Sequence, residues 1–169
     1  MLLRRYVIPA VLKMLRDLLK NAGTFLTKGK DDYIRVAVQV HDHKELMMGA
    51  AAILEGHWAE GRFSQDFSER LAEKMGTRFC LLTNSGSSSN LLALTALTSP
   101  LLRGRRLKPG DEVVTVAAGF PTTVNPILQN GLTPVFVDVE LGTYNTTLER
   151  VRDAIGPKTK AVMLAHALG

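Results

Sequence analysis

The second half of the chain alternates short apolar runs with segments whose apolar residues recur at helical spacing. The apolar runs have the length of strands and cover 79–83 (FCLLT), 111–118 (DEVVTVAA), 133–139 (TPVFVDV) and 159–166 (TKAVMLAH). Between them we predict helices over 91–97 and 122–131, and a third with core positions Leu148, Val151 and Ile155. Strands that alternate with helices indicate βαβ units and a parallel sheet.

Turn and cap residues set the helix boundaries in this pattern. Thr146 is followed three residues later by Glu149, the spacing of a capping box, so we expect the last helix to begin there. Gly76 is expected to end a helix whose apolar residues, spaced by four, are Phe63, Phe67, Leu71 and Met75. An earlier helix is predicted over 43–58, with Leu46, Met47, Ala50, Ala51 and Leu54 on its apolar side.

Residues 1–40 read as a basic helical arm and linker. Pro9 suits the first turn of an amphipathic helix whose apolar face holds Val11, Leu12, Leu15, Leu18 and Leu19. Residues 33–40 (YIRVAVQV) form a short strand or extended segment in this interpretation. Residues 41–169 are expected to be an incomplete α/β domain, because the chain stops directly after the fourth predicted strand, whereas a parallel sheet is normally covered on both faces.

The net charge of +5 lies in the N-terminal arm. Residues 1–30 hold seven Lys or Arg and one acidic residue, Asp17, whereas the rest of the chain holds 14 basic and 15 acidic side chains. A nucleic-acid-binding domain carries its basic stripe on the folded body. We therefore expect no nucleic-acid partner.

Composition favours a soluble globular protein, with 46% apolar and 22% charged residues. Two uncharged stretches, 79–102 and 113–137, contain Asn, Gly and Pro or Ser, so neither predicts a membrane span. The arm lacks a secretory core and cleavage pattern, although a mitochondrial presequence stays open as a weaker alternative. Cys80, the only cysteine, is expected to be a reduced core residue. These features predict a cytoplasmic protein without a membrane partner.

His41 and His43 form a His-x-His pair. The pair supplies two of the three or four protein ligands that a zinc site takes. We interpret both as loop residues and predict no metal site.

The stretch 83–90 (TNSGSSSN) places small hydroxylated residues at the start of a leucine-rich helix. A helix N-terminus offers free N–H groups and the positive end of the helix dipole, and ligands of open α/β sheets bind at the carboxyl ends of the strands. Gly86 allows a ligand to approach the backbone, and the hydroxyls of Ser85, Ser87 and Ser88 can donate further hydrogen bonds. The sequence predicts a phosphate site here. The alternative is an ordinary serine-capped helix.

Phe120 directly follows the strand predicted over 111–118, between Gly119 and Pro121. An aromatic ring at the carboxyl end of a strand, beside an anion site, could stack on a flat heterocycle. The alternative is that Phe120 belongs to the core.

Three segments carry a resemblance to a known family: LTNSGSSSNLLALTALTSPLL, LKPGDEVVTVAAGFPTTVNPILQNGLTPVFVDV and TKAVMLAHALG. They resemble the DegT/DnrJ/EryC1/StrS sugar aminotransferases. GFPTT and the upstream HWAEGRFSQDFSERLAEKMG are most similar to the members that act as 3-dehydrases on CDP-4-keto-6-deoxy-D-glucose in O-antigen synthesis. The resemblance covers 42–169 and implies an α/β fold, the aspartate-aminotransferase-like (PLP fold type I) large domain with a mainly parallel sheet, truncated after about four strands.

The resemblance also implies a cofactor, pyridoxamine or pyridoxal 5′-phosphate, and residues that bind it. Gly86 and Ser87 would contact its phosphate, and Ser85 and Ser88 would shape the turn. Phe120 would stack on the pyridine ring. His166, at the end of the fourth predicted strand, would lie near the site. Ser89 stands where the family usually has Ala. The catalytic residues and the cysteines of a [2Fe–2S] cluster are expected beyond residue 169. The chain alone is therefore expected to be inactive, without a stable cofactor absorbance.

The implied reaction removes the C3 hydroxyl of a nucleotide-linked 4-keto-6-deoxy sugar. A flavin/iron–sulfur reductase would supply two electrons through the cluster, and the enzyme would be a homodimer. Two alternatives stay open. One is a pyridoxal-phosphate nucleotide-sugar aminotransferase of the same fold, which a Lys in place of a His at the Schiff-base position would select. The other is a non-catalytic remnant.

Overall fold

The computed structural model describes residues 3–26, 41–56 and 59–167, which belong to two compact units, Met1–Leu81 and Leu82–Gly169. In the first unit a π-helical turn, Leu3–Val7, leads into α1 (Ile8–Leu26), which packs against α2 (His43–Glu55); α3 (Arg62–Met75) follows. The apolar face predicted for the arm is half-buried except at Leu18, which is 60% exposed. The segment predicted as a strand over 33–40 lies outside the described residues.

Local capping fixes the ends of α2 and α3. The Asp42 carboxylate accepts a hydrogen bond from the Lys44 amide at 2.6 Å, and the Glu45 carboxylate accepts one from the Asp42 amide at 2.7 Å, which completes a capping box. Both helices end at a glycine in the left-handed region, Gly56 with φ 72° and Gly76 with φ 65°. The predicted end of α3 at Gly76 is confirmed.

An ion pair joins the end of α2 to the start of α3. The Arg62 guanidinium donates from Nε to both carboxylate oxygens of Glu55, at 2.8 and 3.0 Å. This hydrogen-bonded carboxylate raises the pKa of Arg62. The predicted apolar stripe of α3 is wrong in part, since Phe67 and Met75 are 55% and 67% exposed while Ala72 is buried.

The second unit is a three-stranded parallel sheet between helices. Its elements are α4 (Gly86–Ala96), a 3₁₀ segment (Pro100–Arg105), β1 (Glu112–Val116), α5 (Pro121–Gln129), β2 (Thr133–Val137), α6 (Leu148–Asp153) and β3 (Thr159–Met163). The strand order is β2-β1-β3, with β1 in the centre. Helix α5 connects β1 to β2, which lies at one edge of the sheet. Helix α6 then connects β2 to β3, which lies at the opposite edge. Right-handed crossovers in opposite directions place these two helices on opposite faces of the sheet.

Alternation along β1 divides the core into two clusters. Val113 faces one side, in a cluster with Leu94, Leu107, Ile127 and Leu132. Val114 and Val116 face the other side, with Val137 and Val151. A strand that buries both faces reads as a continuous apolar run, which is why 111–118 was recognisable from the sequence.

Two helix starts and one strand differ from the sequence prediction. The helix predicted over 91–97 begins at Gly86 instead. Residues 79–83 form no strand, so the described sheet has three strands rather than about four; Phe79 and Leu81 are 78% and 75% exposed, and a strand requires a hydrogen-bonded neighbour. The last helix is capped by Thr147, not Thr146, since the Thr147 hydroxyl accepts from the Arg150 amide at 3.3 Å. Within the described residues we find no helix long and apolar enough to cross a bilayer.

Candidate cofactor site

The carboxyl ends of the three parallel strands meet at one edge of the sheet, which we call the carboxyl edge. The paired strands end at Val116, Val137 and Met163. The Ala117 amide donates to the Val137 carbonyl at 2.8 Å, which continues the pairing one step beyond β1. Phe120 and His166 follow the ends of β1 and β3, so both predicted residues lie at this edge.

Ser85 caps the start of α4, and a network of hydroxyls fixes the turn before it. The Ser85 hydroxyl accepts from the Ser88 amide at 3.2 Å, and the Ser85 carbonyl accepts from the Ser89 amide at 3.0 Å. The Thr83 hydroxyl donates to the same carbonyl at 2.9 Å and lies 2.6 Å from the Ser89 hydroxyl. Ser89 therefore takes part in holding the turn.

Two amide groups at this helix start have no protein acceptor among the described residues, those of Gly86 and Ser87. They belong to the four N–H groups that a helix leaves unpaired at its N-terminus. A side chain at Gly86 would meet no atom within 4 Å of its Cβ, so the space beside these amides is open. Free amides, hydroxyls and the positive end of the helix dipole together suit an anion. The predicted serine cap and the predicted anion site are thus both compatible with the same turn.

The start of α5 lies beside the start of α4. The Asn90 side-chain amide donates to the Thr122 carbonyl at 3.2 Å, and the two helices pack against each other. A cavity of about 150 Å³ lies between them, lined near these starts by Ser87, Ser88 and Thr122. Phe120, two residues before Thr122, is the N-cap residue of α5 and is 73% exposed. Phe120 is therefore not part of the core of the second unit.

His166 is exposed at the carboxyl edge, and a side-chain amide fixes the backbone next to it. Asn145 donates from Nδ2 to the Ala167 carbonyl at 2.8 Å and accepts at Oδ1 from the Ala167 amide at 2.9 Å. The structure thus brings 85–88 and Phe120 to adjacent helix starts and puts His166 at the same edge. Sequence reasoning missed both Asn90 and Asn145, because each acts on a residue distant in the chain.

The cavity between the starts of α4 and α5 is lined by uncharged side chains. Among the described residues no group of three or more His, Cys, Asp or Glu is arranged to hold a metal ion. His43 of the His-x-His pair lies instead beside an acid, with Nδ1 3.7 Å from Asp42 Oδ1.

Comparison with solved structures identifies the class of fold. An E. coli GDP-4-keto-6-deoxy-D-mannose-3-dehydratase with bound hydrated pyridoxal phosphate superposes with a TM-score of 0.69 at 28% identity, over 77% of this chain and 33% of that one. The described sheet with its helices has the α/β, aspartate-aminotransferase-like fold (PLP fold type I) of part of a large domain, and the predicted fold class is confirmed.

Sequence comparison gives the family. The model of the DegT/DnrJ/EryC1/StrS aminotransferase family matches residues 40–169, and the chain belongs to this family. It is 58% identical over 126 residues to the lipopolysaccharide biosynthesis protein RfbH of Salmonella typhimurium, covering 75% of this chain and 29% of that protein. It is 53% identical over 136 residues to the dTDP-4-dehydro-2,6-dideoxy-D-glucose 3-dehydratase of Saccharopolyspora spinosa, over 80% of this chain and 29% of that one. The chain thus spans less than a third of the length of these relatives.

Proposed function

We propose that residues 1–169 are the N-terminal part of a pyridoxamine-phosphate-dependent 3-dehydrase. The enzyme would remove the C3 hydroxyl of a CDP-4-keto-6-deoxy sugar in O-antigen or dideoxysugar biosynthesis. One observation carries the proposal. The amides of Gly86 and Ser87, which have no protein acceptor in the described structure, lie beside the segment after β1 that contains the exposed Phe120. The family match and the 3-dehydratase relative support the proposal that this arrangement binds the phosphate and the ring of the cofactor.

The residues present fit the phosphate of the cofactor. A phosphate ester accepts hydrogen bonds, and the Gly86 and Ser87 amides are donors without a protein acceptor in the described structure. Ser87 and Ser88 also line the cavity between α4 and α5. Ser85 serves indirectly, because its cap on the Ser88 amide keeps the helix start in place.

Two further residues are proposed to contact the ring end of the cofactor. The exposed Phe120 ring would lie against the pyridine face, where offset stacking favours a planar heterocycle. His166, at the end of the third strand, would border the same edge. The bound cofactor would supply an electron sink for the cleavage at C3. The contribution of this part of the enzyme is to bind and orient the cofactor.

The remaining assignments are likewise proposals for the whole enzyme. A [2Fe–2S] cluster and a flavin/iron–sulfur reductase would deliver two electrons, a nucleotide sugar would be the substrate, and the enzyme would act as a cytoplasmic homodimer. Residues 1–169 cannot hold a cluster by themselves, since such clusters take four thiolates or histidines and these residues contain one cysteine, Cys80.

The binding step is tested by NMR titration of the isotope-labelled chain. Pyridoxamine 5′-phosphate should bind weakly and shift the amide signals of Gly86 and Ser87. Inorganic phosphate should shift the same two signals, whereas the Phe120 ring signals should respond only to ligands that carry the pyridine ring. Pyridoxamine, which lacks the phosphate, is the matched control. No response at Gly86 and Ser87 to pyridoxamine 5′-phosphate would overturn the proposal.

A second candidate is a nucleotide-sugar aminotransferase, which the description of the matching family favours. The two reactions differ in their products. With the complete enzyme and a 4-keto-6-deoxy sugar nucleotide, a dehydrase with its reductant yields a sugar that has lost the C3 oxygen. An aminotransferase supplied with glutamate yields an amino sugar that keeps this hydroxyl. Mass spectrometry of the product separates the two.

A further inference from the structure

Asn145 pairs with the backbone of a residue 22 positions away, at the end of the third strand. Its Nδ2 and Oδ1 bond the carbonyl and the amide of Ala167 at 2.8 and 2.9 Å, as an adjacent strand would do with both polar groups of one residue. The strand pairing of β3 with β1 has already ended at Met163. Beyond that point, Asn145 is the side chain that satisfies the Ala167 backbone in the described structure.

The loop that carries Asn145 is itself held in an uncommon conformation. Tyr144 has φ 56°, in the left-handed region that a non-glycine residue rarely occupies, and Gly142 has φ 102°. Two backbone bonds close the loop, from the Glu140 amide to the Asn145 carbonyl at 2.9 Å and from the Tyr144 amide to the Glu140 carbonyl at 3.0 Å. Such a conformation persists only where the surrounding bonds determine it. The backbone that carries the Asn145 side chain is therefore held in one conformation.

We propose that Asn145 is a positioning residue that fixes the segment after β3, and with it His166, at the carboxyl edge. The inference rests on the proposed function in that this edge is taken as the cofactor site. Asn145 would not touch the cofactor itself. Its side-chain amide links the loop after β2 to the segment after β3. The two segments are therefore held in one position relative to each other.

Hydrogen exchange of the Ala167 amide in the full chain tests the anchor. Asn145→Ala removes both bonds to Ala167 and also the local bond from Nδ2 to the Thr143 carbonyl at 3.1 Å. The protection factor of Ala167 should fall by roughly tenfold. Asn130→Ala is the matched control, because it removes an Asn side-chain bond of 2.8 Å to the Pro126 carbonyl in the same unit. This control should leave Ala167 protected. Unchanged protection in Asn145→Ala would overturn the proposal.

Asn145→Asp keeps the shape of the side chain and adds a reversible readout. At neutral pH the carboxylate still accepts from the Ala167 amide but repels its carbonyl oxygen, so protection should fall. Once protonated in acid, the side chain regains a donor, and protection relative to Asn145→Ala should return. No return in acid would contradict a role through this specific pair of bonds.

The link to His166 is tested by the same pyridoxamine 5′-phosphate titration. In Asn145→Ala the shift of the His166 ring signals should shrink at least severalfold, while the Gly86 and Ser87 amides still respond. An undiminished His166 response would overturn the positioning role. If the unaltered chain shows no response at Gly86 and Ser87, the proposed function fails, and the exchange measurement still decides whether Asn145 anchors the segment.

Discussion

The side-chain amide of Asn90 donates a hydrogen bond to the carbonyl oxygen of Thr122 at 3.2 Å, across 32 positions of the chain. Asn90 lies one turn into α4, and Thr122 lies in the first turn of α5. The bond therefore aligns the starts of two helices that lie on either side of β1 in the sequence. This alignment is what places the free amides of α4 beside the strand exit that holds Phe120.

Asn90→Ala should lower the free energy of unfolding by about 1 kcal/mol, because a part-buried carbonyl loses its donor. It should also weaken the response of the Phe120 ring to pyridoxamine 5′-phosphate, since the two helix starts are no longer tied. Urea denaturation and NMR titration measure the two effects. The control is Asn125→Ala, an exposed residue of α5, whose stability should change by less than about 0.5 kcal/mol. Equal losses for the two variants would show that the bond contributes little.

Ser85→Ala should cost about 1 kcal/mol of stability through loss of the cap on the Ser88 amide. It should also reduce the affinity for phosphate, because the unpaired amides of the first turn are then less firmly placed. Thr147→Ala is the matched control: it removes the cap of α6 at a similar cost and should leave phosphate binding unchanged. If the phosphate affinity fell equally in both variants, the lower stability alone would explain the loss.

The three observed strands were predictable because each is a short run rich in apolar residues. Val113 and Val114 are fully buried on opposite faces of β1, which is the pattern of a central parallel strand. The run 79–83 has the same composition, but whether a strand forms depends on a hydrogen-bonding neighbour, which local composition does not encode. The start of α6 was one residue off because Thr146 and Thr147 are both able to cap, and the backbone geometry selects Thr147.

The candidate site was predictable where its chemistry is local and not where it is long-range. Ser85 and Gly86 stand out in the sequence because a turn rich in serine and containing a glycine precedes a leucine-rich helix. The choice between core and exposed positions for Phe120 required the structure, which leaves 73% of the residue exposed. Asn145 gave no signal, since its partner Ala167 is brought near only by the crossover through α6.

Thr115→Val should raise the free energy of unfolding by about 1 kcal/mol. Thr115 is fully buried in β1, and its hydroxyl has no hydrogen-bond partner among the described residues. Valine keeps the shape and removes a hydroxyl whose burial is unfavourable. Thr115→Ala is the companion variant and should instead lower stability by about 1 kcal/mol, because it leaves space in the core. A loss of stability in Thr115→Val would show that the hydroxyl is hydrogen-bonded in solution.

The capping box of α2 should make the stability of the chain depend on pH in the acid range. The pKa of Asp42 lies below its ordinary value of 3.8, chiefly because the Lys44 amide donates to the carboxylate, and the charges of His43 and Lys44 act in the same direction. A carboxyl whose pKa is lower in the folded state contributes stability above the unfolded pKa, near 3.8, and loses it as the pH falls through the folded value. Thermal unfolding between pH 6 and pH 2, on the acid side of neutrality, measures this loss.

Two substitutions at Asp42 separate the charge from the cap. Asp42→Asn keeps an oxygen that can accept from the Lys44 amide but does not titrate, so the acid-dependent part of the stability should shrink while the cap persists. Asp42→Ala removes the acceptor, so it should be less stable than the parent at neutral pH and equally insensitive to acid at this position. If Asp42→Asn kept the full acid dependence of the parent, the loss of stability in acid would arise from other carboxyl groups, and the capping box would not be its source.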